Sequence, residues 1–186
     1  MRIAITGGIA EGKSTLLKLL AGMGFECASA DAAARDVFFD ASIQAELRSM
    51  LGQDVPVSPA DLRAAISNDH ALRREVNELL HPRIIDLLLE QRASFYEVPL
   101  LIETCMQSKF DAIWVTRCLP ETKIARLMER GIKEPSNRFS QVQFELEARL
   151  AFADCVYDTD LPISQTAEHL KKEVKSYGFS LVVSTE

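Results

Sequence analysis

The sequence predicts a three-layer α/β fold, in which helices cover both faces of a mainly parallel sheet of five strands. Two observations predict it. Short apolar segments alternate with longer amphipathic segments along the 186 residues, as in chains whose parallel strands are joined by helices. A glycine-rich turn also joins the first apolar segment directly to the first helical one. We expect these elements to form one domain over residues 1–186.

Five segments have the apolar composition of strands. They are residues 2–6, 25–28, 95–101, 112–117 and 155–158. The third and fourth are apolar enough to be covered on both faces of the sheet. Outside the region between the second and third strands, we expect helices at 14–23, at 120–130, in a segment ending at 152 and at 164–176. We also expect a loop at 131–137 and an apolar tail at 179–183.

The region between the second and third strands, residues 32–92, is mostly helical in its pattern. The predicted helices span 32–39, 42–51, 59–66, 71–80 and 83–92. Ser58 before Pro59 has the pattern of an N-cap followed by proline at the first helical position. Pro82 is expected to begin the last of these helices. A helical insertion of this kind is suited to enclosing a substrate.

Composition favours a globular enzyme of the cytoplasm. The net charge of −6 argues against a general nucleic-acid binder, which usually carries a broad basic surface. No apolar stretch is long enough to span a membrane, and no signal-peptide pattern precedes the first strand. The cysteines form no Cys-x-x-Cys pair and the histidines complete no zinc spacing. We therefore expect neither disulfides nor a structural metal.

A phosphate-binding loop of the pattern Gly-x-x-x-x-Gly-Lys-Ser is the strongest functional signal. It comprises Gly7, Gly8, Ile9, Ala10, Glu11, Gly12, Lys13 and Ser14, and Thr15 follows it. Backbone N–H groups of such a loop converge on an anion, the lysine reaches the β- and γ-phosphates, and the serine hydroxyl coordinates Mg²⁺. A structural glycine turn is the alternative, but a strand before the motif and a helix after it favour nucleoside triphosphate binding.

Two further groups of residues are predicted at the carboxyl ends of strands, where the site of this architecture lies. Asp31 follows the second strand and is a candidate general base for an acceptor hydroxyl. Capping a helix that begins at residue 32 is an equally good interpretation of this aspartate. Glu103 follows the third strand and is a candidate for holding a Mg²⁺-bound water or a substrate hydroxyl. Its alternative role is an ordinary charge at a helix end.

Arg126 and Arg130 are four residues apart and share one helix face. They are placed to contact neighbouring phosphate oxygens, either to stabilise charge on a transferred group or to clamp ATP. They belong to a basic cluster, for which a solvated helix face is the alternative: Lys123, Arg126, Arg130, Lys133 and Arg138. No Asp-Glu pair closes an apolar strand, which favours a small-molecule kinase over a motor-type ATPase.

The ordered motifs together resemble those of the dephospho-CoA kinase family. Besides the loop from Thr6 to Thr15, these motifs are Ala30-Asp31-x-x-x-Arg35, Leu80-His81-Pro82-x-Ile84, Val98-Pro99-Leu100-Leu101-x-Glu103, Pro120-Glu121-Thr122 and Ala153-Asp154-x-Val156-x-Asp158. The resemblance covers nearly the whole chain, and the ordered combination is far more specific than the loop alone. It implies a P-loop NTPase fold and ATP- and Mg²⁺-dependent phosphorylation of the ribose 3′-hydroxyl of dephospho-CoA.

The resemblance also implies roles for individual residues. Asp31 would be the general base, while Lys13 and Arg126 would stabilise the phosphoryl group in transfer. Arg130 and the loop after it, about 130–144, would form a lid over ATP. Residues 32–92 would supply acceptor-binding helices. The residues implied on the substrate side are Asp31, Arg35, His81, Pro99, Leu100 and Glu103.

The chain departs from the family pattern at three places. Ser29 stands where an aspartate is usual, Glu11 replaces a small residue in the loop, and the segment 131–137 is short. We expect the Glu11 side chain to point outward, away from the phosphates, where its charge costs little. Two alternatives to the implied function stay open: a divergent nucleoside or nucleotide kinase, and a nucleotide-binding regulatory protein without transfer activity. The sequence makes no prediction of oligomeric state.

Overall fold

A computed structural model describes residues 1–132 and 143–180. The chain divides into two compact units, of which the first comprises Met1–Ala28 with Ala93–Glu186 and the second comprises Ser29–Arg92. The strands are β1 (Ile3–Gly7), β2 (Cys27–Ser29), β3 (Phe95–Glu97), β4 (Ala112–Arg117) and β5 (Cys155–Asp158). The α-helices are α1 (Lys13–Gly22), α2 (Ala30–Phe39), α3 (Ala41–Leu51), α4 (Pro59–Asn68), α5 (His70–Glu90), α6 (Pro120–Glu129), α7 (Leu146–Leu150) and α8 (Ile163–Ser176).

The strands form one parallel sheet in the order β2-β3-β1-β4-β5. Ile3 of β1 lies opposite Phe95 of β3 and Ala112 of β4, so β1 is central. All five residues of β1 are buried, because parallel strands are covered by helices on both faces. The predicted α/β fold with a parallel five-stranded sheet is confirmed.

The core of the first unit forms where α1 and α8 pack on this sheet. It consists mainly of Ile3, Ile5, Leu16, Leu20, Phe95, Trp114, Tyr157, Leu170 and Val174. Phe179, from the predicted apolar tail, contributes to it by packing edge-on against Phe25 and obliquely against Phe95. Residues 181–183 of that tail, and most of the predicted lid, 133–142, lie outside the described residues.

The second unit consists of the four helices α2 to α5 around a separate apolar cluster. Val37, Ile43, Leu47 and Val76 are at its centre. Side chains begin three of the helices: Asp40 caps α3, Ser58 and Asp61 form a capping box at α4, and Asp69 caps α5. The predicted N-cap at Ser58 is confirmed, because its hydroxyl accepts the N–H of Asp61.

Several predicted boundaries are wrong. The helices expected at 71–80 and 83–92 are one helix, α5, with Pro82 inside it. Proline removes one helical hydrogen bond, but apolar side chains before and after it, including Leu79 and Ile84, pack against the cluster of the second unit and hold the helix together. The third strand ends at Glu97 rather than at residue 101, and α2 begins at Ala30 rather than at residue 32.

None of the helices in the described part of the chain combines the length and apolar character needed to cross a membrane.

Candidate active site

The glycine loop connects β1, which ends at Gly7, to α1, which begins at Lys13. Gly12 precedes the helix in the left-handed conformation, with φ of 89°. A Cβ at this position would lie 2.7 Å from Cγ2 of Thr159, closer than side-chain atoms approach one another. Glycine is therefore required at position 12 both by backbone angle and by space.

Lys13 is buried, and its ammonium group folds back over the start of the loop. Its Nζ donates hydrogen bonds to the carbonyl oxygens of Gly7 at 2.9 Å and Gly8 at 2.8 Å. Because Lys13 is only 8% exposed, these contacts hold a charged group at the loop itself. The ammonium is thus placed where an anion bound by the loop's N–H groups would meet it.

Ser14, the predicted metal ligand, donates a hydrogen bond of 2.9 Å to Oε1 of Glu97. Glu97 is the last residue of β3 and is 8% exposed. The pair brings a hydroxyl and a buried carboxylate together at the carboxyl end of the sheet. Oxygen donors of this kind are those that Mg²⁺ prefers, so the residues present fit a magnesium ion.

Glu11 does not point outward, and that prediction is wrong. The residue is only 5% exposed, and its carboxylate accepts hydrogen bonds from the Gly8 N–H and from both Nη atoms of Arg149, at 2.7 and 3.2 Å. Burial would raise the pKa of Glu11, but the hydrogen bonds and charge of Arg149, the Gly8 N–H and the charge of Lys123 outweigh it. The pKa is held below its ordinary value.

Arg126 contacts the loop from α6. Its Nη1 donates to the carbonyl oxygen of Ala10 at 3.1 Å and to Oγ1 of Thr159 at 2.9 Å, and its Nη2 donates to the carbonyl oxygen of Thr159 at 2.6 Å. The hydroxyl of Thr159 also donates to the carbonyl oxygen of Glu11. The predicted phosphate-contacting arginine is therefore anchored to the loop backbone.

A cavity of about 150 Å³ adjoins the loop in the first unit. Gly12 and Thr15 line it on the loop side, Arg126 of α6 and Arg130 just after that helix line it as well, and Leu161 contributes an apolar wall. Arg130, predicted to bind the nucleotide, thus lies at the cavity together with Arg126. The combination of apolar wall and guanidinium groups suits a flat heteroaromatic ring joined to phosphates.

The segment after β3 is hydrogen-bonded to β1 and to Gln143. The carbonyl oxygen of Pro99 accepts hydrogen bonds from the Thr6 hydroxyl and from the side-chain amide of Gln143, both at 3.4 Å. Oε1 of Glu103 accepts the Phe144 N–H at 2.7 Å, whereas its buried Oε2 has no hydrogen-bond partner among the described residues. Leu100, next to Pro99, is half-buried.

The other residues predicted on the substrate side belong to the second unit. Asp31 and Arg35 are exposed on α2, one helical turn apart, and His81 is exposed on α5. Because α2 begins at Ala30 with Ser29 as its N-cap residue, Asp31 lies inside the first turn. The interpretation of Asp31 as the N-cap is therefore wrong.

Three contacts of the loop were missed by sequence reasoning. Glu97 holds Ser14, Arg149 holds Glu11, and Thr159 holds Arg126. Glu97 could have been identified from the sequence, because it is an acidic residue at the end of an apolar strand. For Arg149 and Thr159 the sequence offers no such signal, because both lie far along the chain from the loop.

Comparisons with known proteins agree with these features. The sequence profile described as dephospho-CoA kinase matches residues 1–165. The dephospho-CoA kinase of Listeria monocytogenes serotype 4b is 31% identical, with 94% of this chain and 96% of that protein covered. That of Listeria innocua is 32% identical, with 90% and 92% covered.

Solved structures show the same fold. A crystal structure of a Thermus thermophilus protein superposes with a TM-score of 0.87 at 22% identity, covering 97% of this chain and 98% of that one. The dephospho-CoA kinase from Campylobacter jejuni superposes with a TM-score of 0.72 at 21% identity, with 95% and 96% covered. The profile match and the identities over nearly full length lead to one conclusion: the chain belongs to the dephospho-CoA kinase family of phosphotransferases that act on an alcohol group.

Proposed function

We propose that this protein transfers the γ-phosphate of ATP to the ribose 3′-hydroxyl of dephospho-CoA, producing CoA and ADP. The observation that carries the proposal is the glycine loop, whose Lys13 ammonium and Ser14 hydroxyl stand at the start of α1. A helix N-terminus with converging N–H groups favours bound phosphates. Membership of the family supplies the acceptor.

Mg²⁺ is the proposed metal cofactor. Ser14 would hold it directly, and Glu97, hydrogen-bonded to the Ser14 hydroxyl, would orient that ligand. When bound, the ion neutralises charge on the β- and γ-phosphates. The two side chains already lie together, so little reorganisation is required of them.

The donor nucleotide is proposed to place its base in the cavity lined by Arg126 and Arg130. Lys13 and Arg126 would then stabilise the charge that develops on the phosphoryl group in transfer. Arg126 is suited to this role because its contacts with Ala10 and Thr159 fix the guanidinium at the loop. Arg130, with residues that follow it, would cover the nucleotide.

The proposed roles in the acceptor half of the reaction are those that the family resemblance implies. Asp31 is the proposed general base: it takes the proton of the 3′-hydroxyl as that oxygen bonds to the γ-phosphorus. The bond between this phosphorus and the β–γ bridging oxygen breaks, and ADP leaves. The proposed substrate-binding residues are Arg35, His81, Pro99, Leu100 and Glu103. We place the reaction in the cytoplasm.

The experiment is an acceptor panel with the purified chain, ATP and Mg²⁺. Dephospho-CoA, adenosine, AMP and shikimate are offered separately, and CoA, ADP and the other phosphorylated products are measured by chromatography. We expect rapid conversion of dephospho-CoA alone. Faster phosphorylation of a nucleoside or nucleotide would support the divergent kinase instead, and ATP binding with no product from any acceptor would support a regulatory protein.

A further inference from the structure

The buried carboxylate of Glu11 stands inside the loop that we propose binds a triphosphate. Like charges repel at short distance, so a glutamate at this position requires compensation. The side chains of Glu11 and Arg149 are both almost fully buried. A buried ion pair of this kind is retained only when its polar atoms are well satisfied.

Both carboxylate oxygens of Glu11 are saturated with donors. Oε2 accepts the Gly8 N–H and Nη1 of Arg149, and Oε1 accepts Nη2 of Arg149 and lies 3.4 Å from Nζ of Lys123. The contact between Arg149 and Glu11 is bidentate, and in this geometry the guanidinium and carboxylate planes fix each other's orientation. The carboxylate is therefore fixed in direction as well as in position.

Arg149 connects this contact to α7. Its Nε donates to the carbonyl oxygen of Phe144 at 3.2 Å, so Nε, Nη1 and Nη2 of the guanidinium are all engaged. Lys123 connects the same carboxylate to α6. Glu11 therefore joins the loop to both α6 and α7 through ion pairs.

The backbone around Glu11 needs such support. Ala10 has a φ of 60° and Gly12 a φ of 89°, so the residues on either side of Glu11 are left-handed. A non-glycine residue in this conformation is strained and persists only where its surroundings hold it. A Cβ at Gly8 would lie 2.2 Å from Oε1 of Glu11, so the carboxylate fills the space that a side chain at Gly8 would take.

We propose that Glu11 is a positioning residue: through its ion pair with Arg149 it sets the backbone of residues 8–12, and thereby the affinity of the loop for ATP. The proposal rests on the proposed use of the loop for ATP. Arg149 is a positioning residue in the same sense, because it is the other member of the ion pair. Neither side chain needs to touch the nucleotide.

The test measures ATP affinity by calorimetry without acceptor, together with unfolding in denaturant. Glu11→Gln keeps the shape but removes the charge, Glu11→Asp keeps the charge, and the double variant Glu11→Leu with Arg149→Leu replaces the pair by apolar groups. Such replacements often preserve stability. The matched control is Glu168→Gln with Lys171→Gln, which removes an exposed ion pair on α8.

We expect the Kd for ATP to rise about 10- to 100-fold in Glu11→Gln and in the double-leucine variant, since each tenfold costs only about 1.4 kcal/mol, which is the order of one weakened hydrogen bond between the loop and a charged phosphate. Glu11→Asp should recover part of the affinity, and the control should bind as the wild type does. In turnover with dephospho-CoA, the KM for ATP should rise while the KM for the acceptor stays unchanged.

Wild-type ATP affinity in the double-leucine variant, or in Glu11→Gln if the double variant does not fold, would overturn the proposal, because the pair would then be structural only. Tighter ATP binding by Glu11→Gln would also overturn it, since Glu11 would then compete with the phosphates. A wild-type chain that binds ATP but phosphorylates no acceptor contradicts the proposed function alone, because the binding comparison needs no acceptor.

Discussion

Ser14 and Glu97 are joined by a hydrogen bond of 2.9 Å from the serine hydroxyl to Oε1 of the glutamate. The contact links the first turn of α1 to the last residue of β3 across 83 positions of sequence. The motif alone identifies Ser14, and this hydrogen bond fixes the orientation of its hydroxyl group. A carboxylate that orients a metal ligand contributes to metal affinity without necessarily binding the metal.

Glu97→Gln should therefore weaken the response to magnesium. The side chain keeps its shape but loses its charge, and we expect the Mg²⁺ concentration for half-maximal rate to rise about 10-fold or more, as for other outer partners of metal ligands. The measurement is a Mg²⁺ titration of turnover at saturating ATP. Glu121→Gln, an exposed position on α6, is the control, and an unchanged half-maximum in Glu97→Gln would exclude this role.

Gly12→Ala should damage the loop, whereas Gly22→Ala should not. At position 12 the new Cβ meets Thr159 and the backbone is left-handed, so we expect a loss of roughly 1–3 kcal/mol in the free energy of unfolding. At position 22, the last residue of α1, nothing lies within 4 Å, and alanine should stabilise the folded chain by about 0.4–1 kcal/mol, because it lowers the conformational entropy of the unfolded chain. Denaturant unfolding compares the two, and equal stabilities would show that Thr159 moves aside at little cost.

The sequence predicted local relationships well and distant ones poorly. The loop motif places Lys13 and Ser14 by contiguity, and the strand before it by apolar composition, so both were predictable. Pro82 misled because its effect on a helix depends on packing on either side, which the pattern of residues near it does not show. The end of β3 was missed because the apolar run continues beyond the last residue that pairs with β1.

The partners of the site could not be predicted for a different reason. Glu11 and Arg149 are 138 residues apart, and their pairing follows from where α7 packs against the loop. The sequence gives no indication of a basic partner for Glu11, so an outward side chain was the expected way to keep its charge away from the phosphates. The buried pair reverses that expectation because Arg149, Lys123 and the Gly8 N–H compensate the charge.

Arg126→Ala should act mainly on kcat, which we expect to fall about 10²–10³-fold, the range seen on loss of one donor that stabilises developing charge. Because Arg126 also holds the loop through Thr159, Thr159→Val serves as the comparison: it keeps the shape and removes the hydroxyl. Steady-state kinetics over a range of ATP concentrations separate the two. An Arg126 effect confined to KM would mean that the arginine acts only by placing the loop.

Asp31→Asn should leave ATP binding and folding unchanged, because the residue is exposed on α2. As the proposed general base, its loss should lower kcat about 10²–10⁴-fold. Asp36→Asn, on the same helix and also exposed, is the matched control. Calorimetry with ATP and turnover with dephospho-CoA give the two readouts, and near-normal turnover of Asp31→Asn would assign the base to another residue.

The pair of Glu11 and Arg149 also predicts how stability depends on pH. The pKa of Glu11 is lowered from an ordinary value of 4.5, because Arg149, Gly8 and Lys123 outweigh the effect of burial. A carboxyl whose folded pKa is depressed stabilises the folded state above its unfolded pKa, and this contribution is lost as the pH falls through the folded pKa.

Glu11→Gln removes this contribution at every pH. Near pH 7 the variant should therefore be less stable than the wild-type chain by about 1.5–3 kcal/mol, the value of hydrogen bonds to a charged group. Below the ordinary glutamate pKa the wild-type chain should lose stability more steeply than the variant, and the two unfolding free energies should converge. Denaturant unfolding from pH 7 down to pH 3 tests this, and a difference between the two chains that does not shrink over this range would mean that Glu11 carries no proton-linked stability.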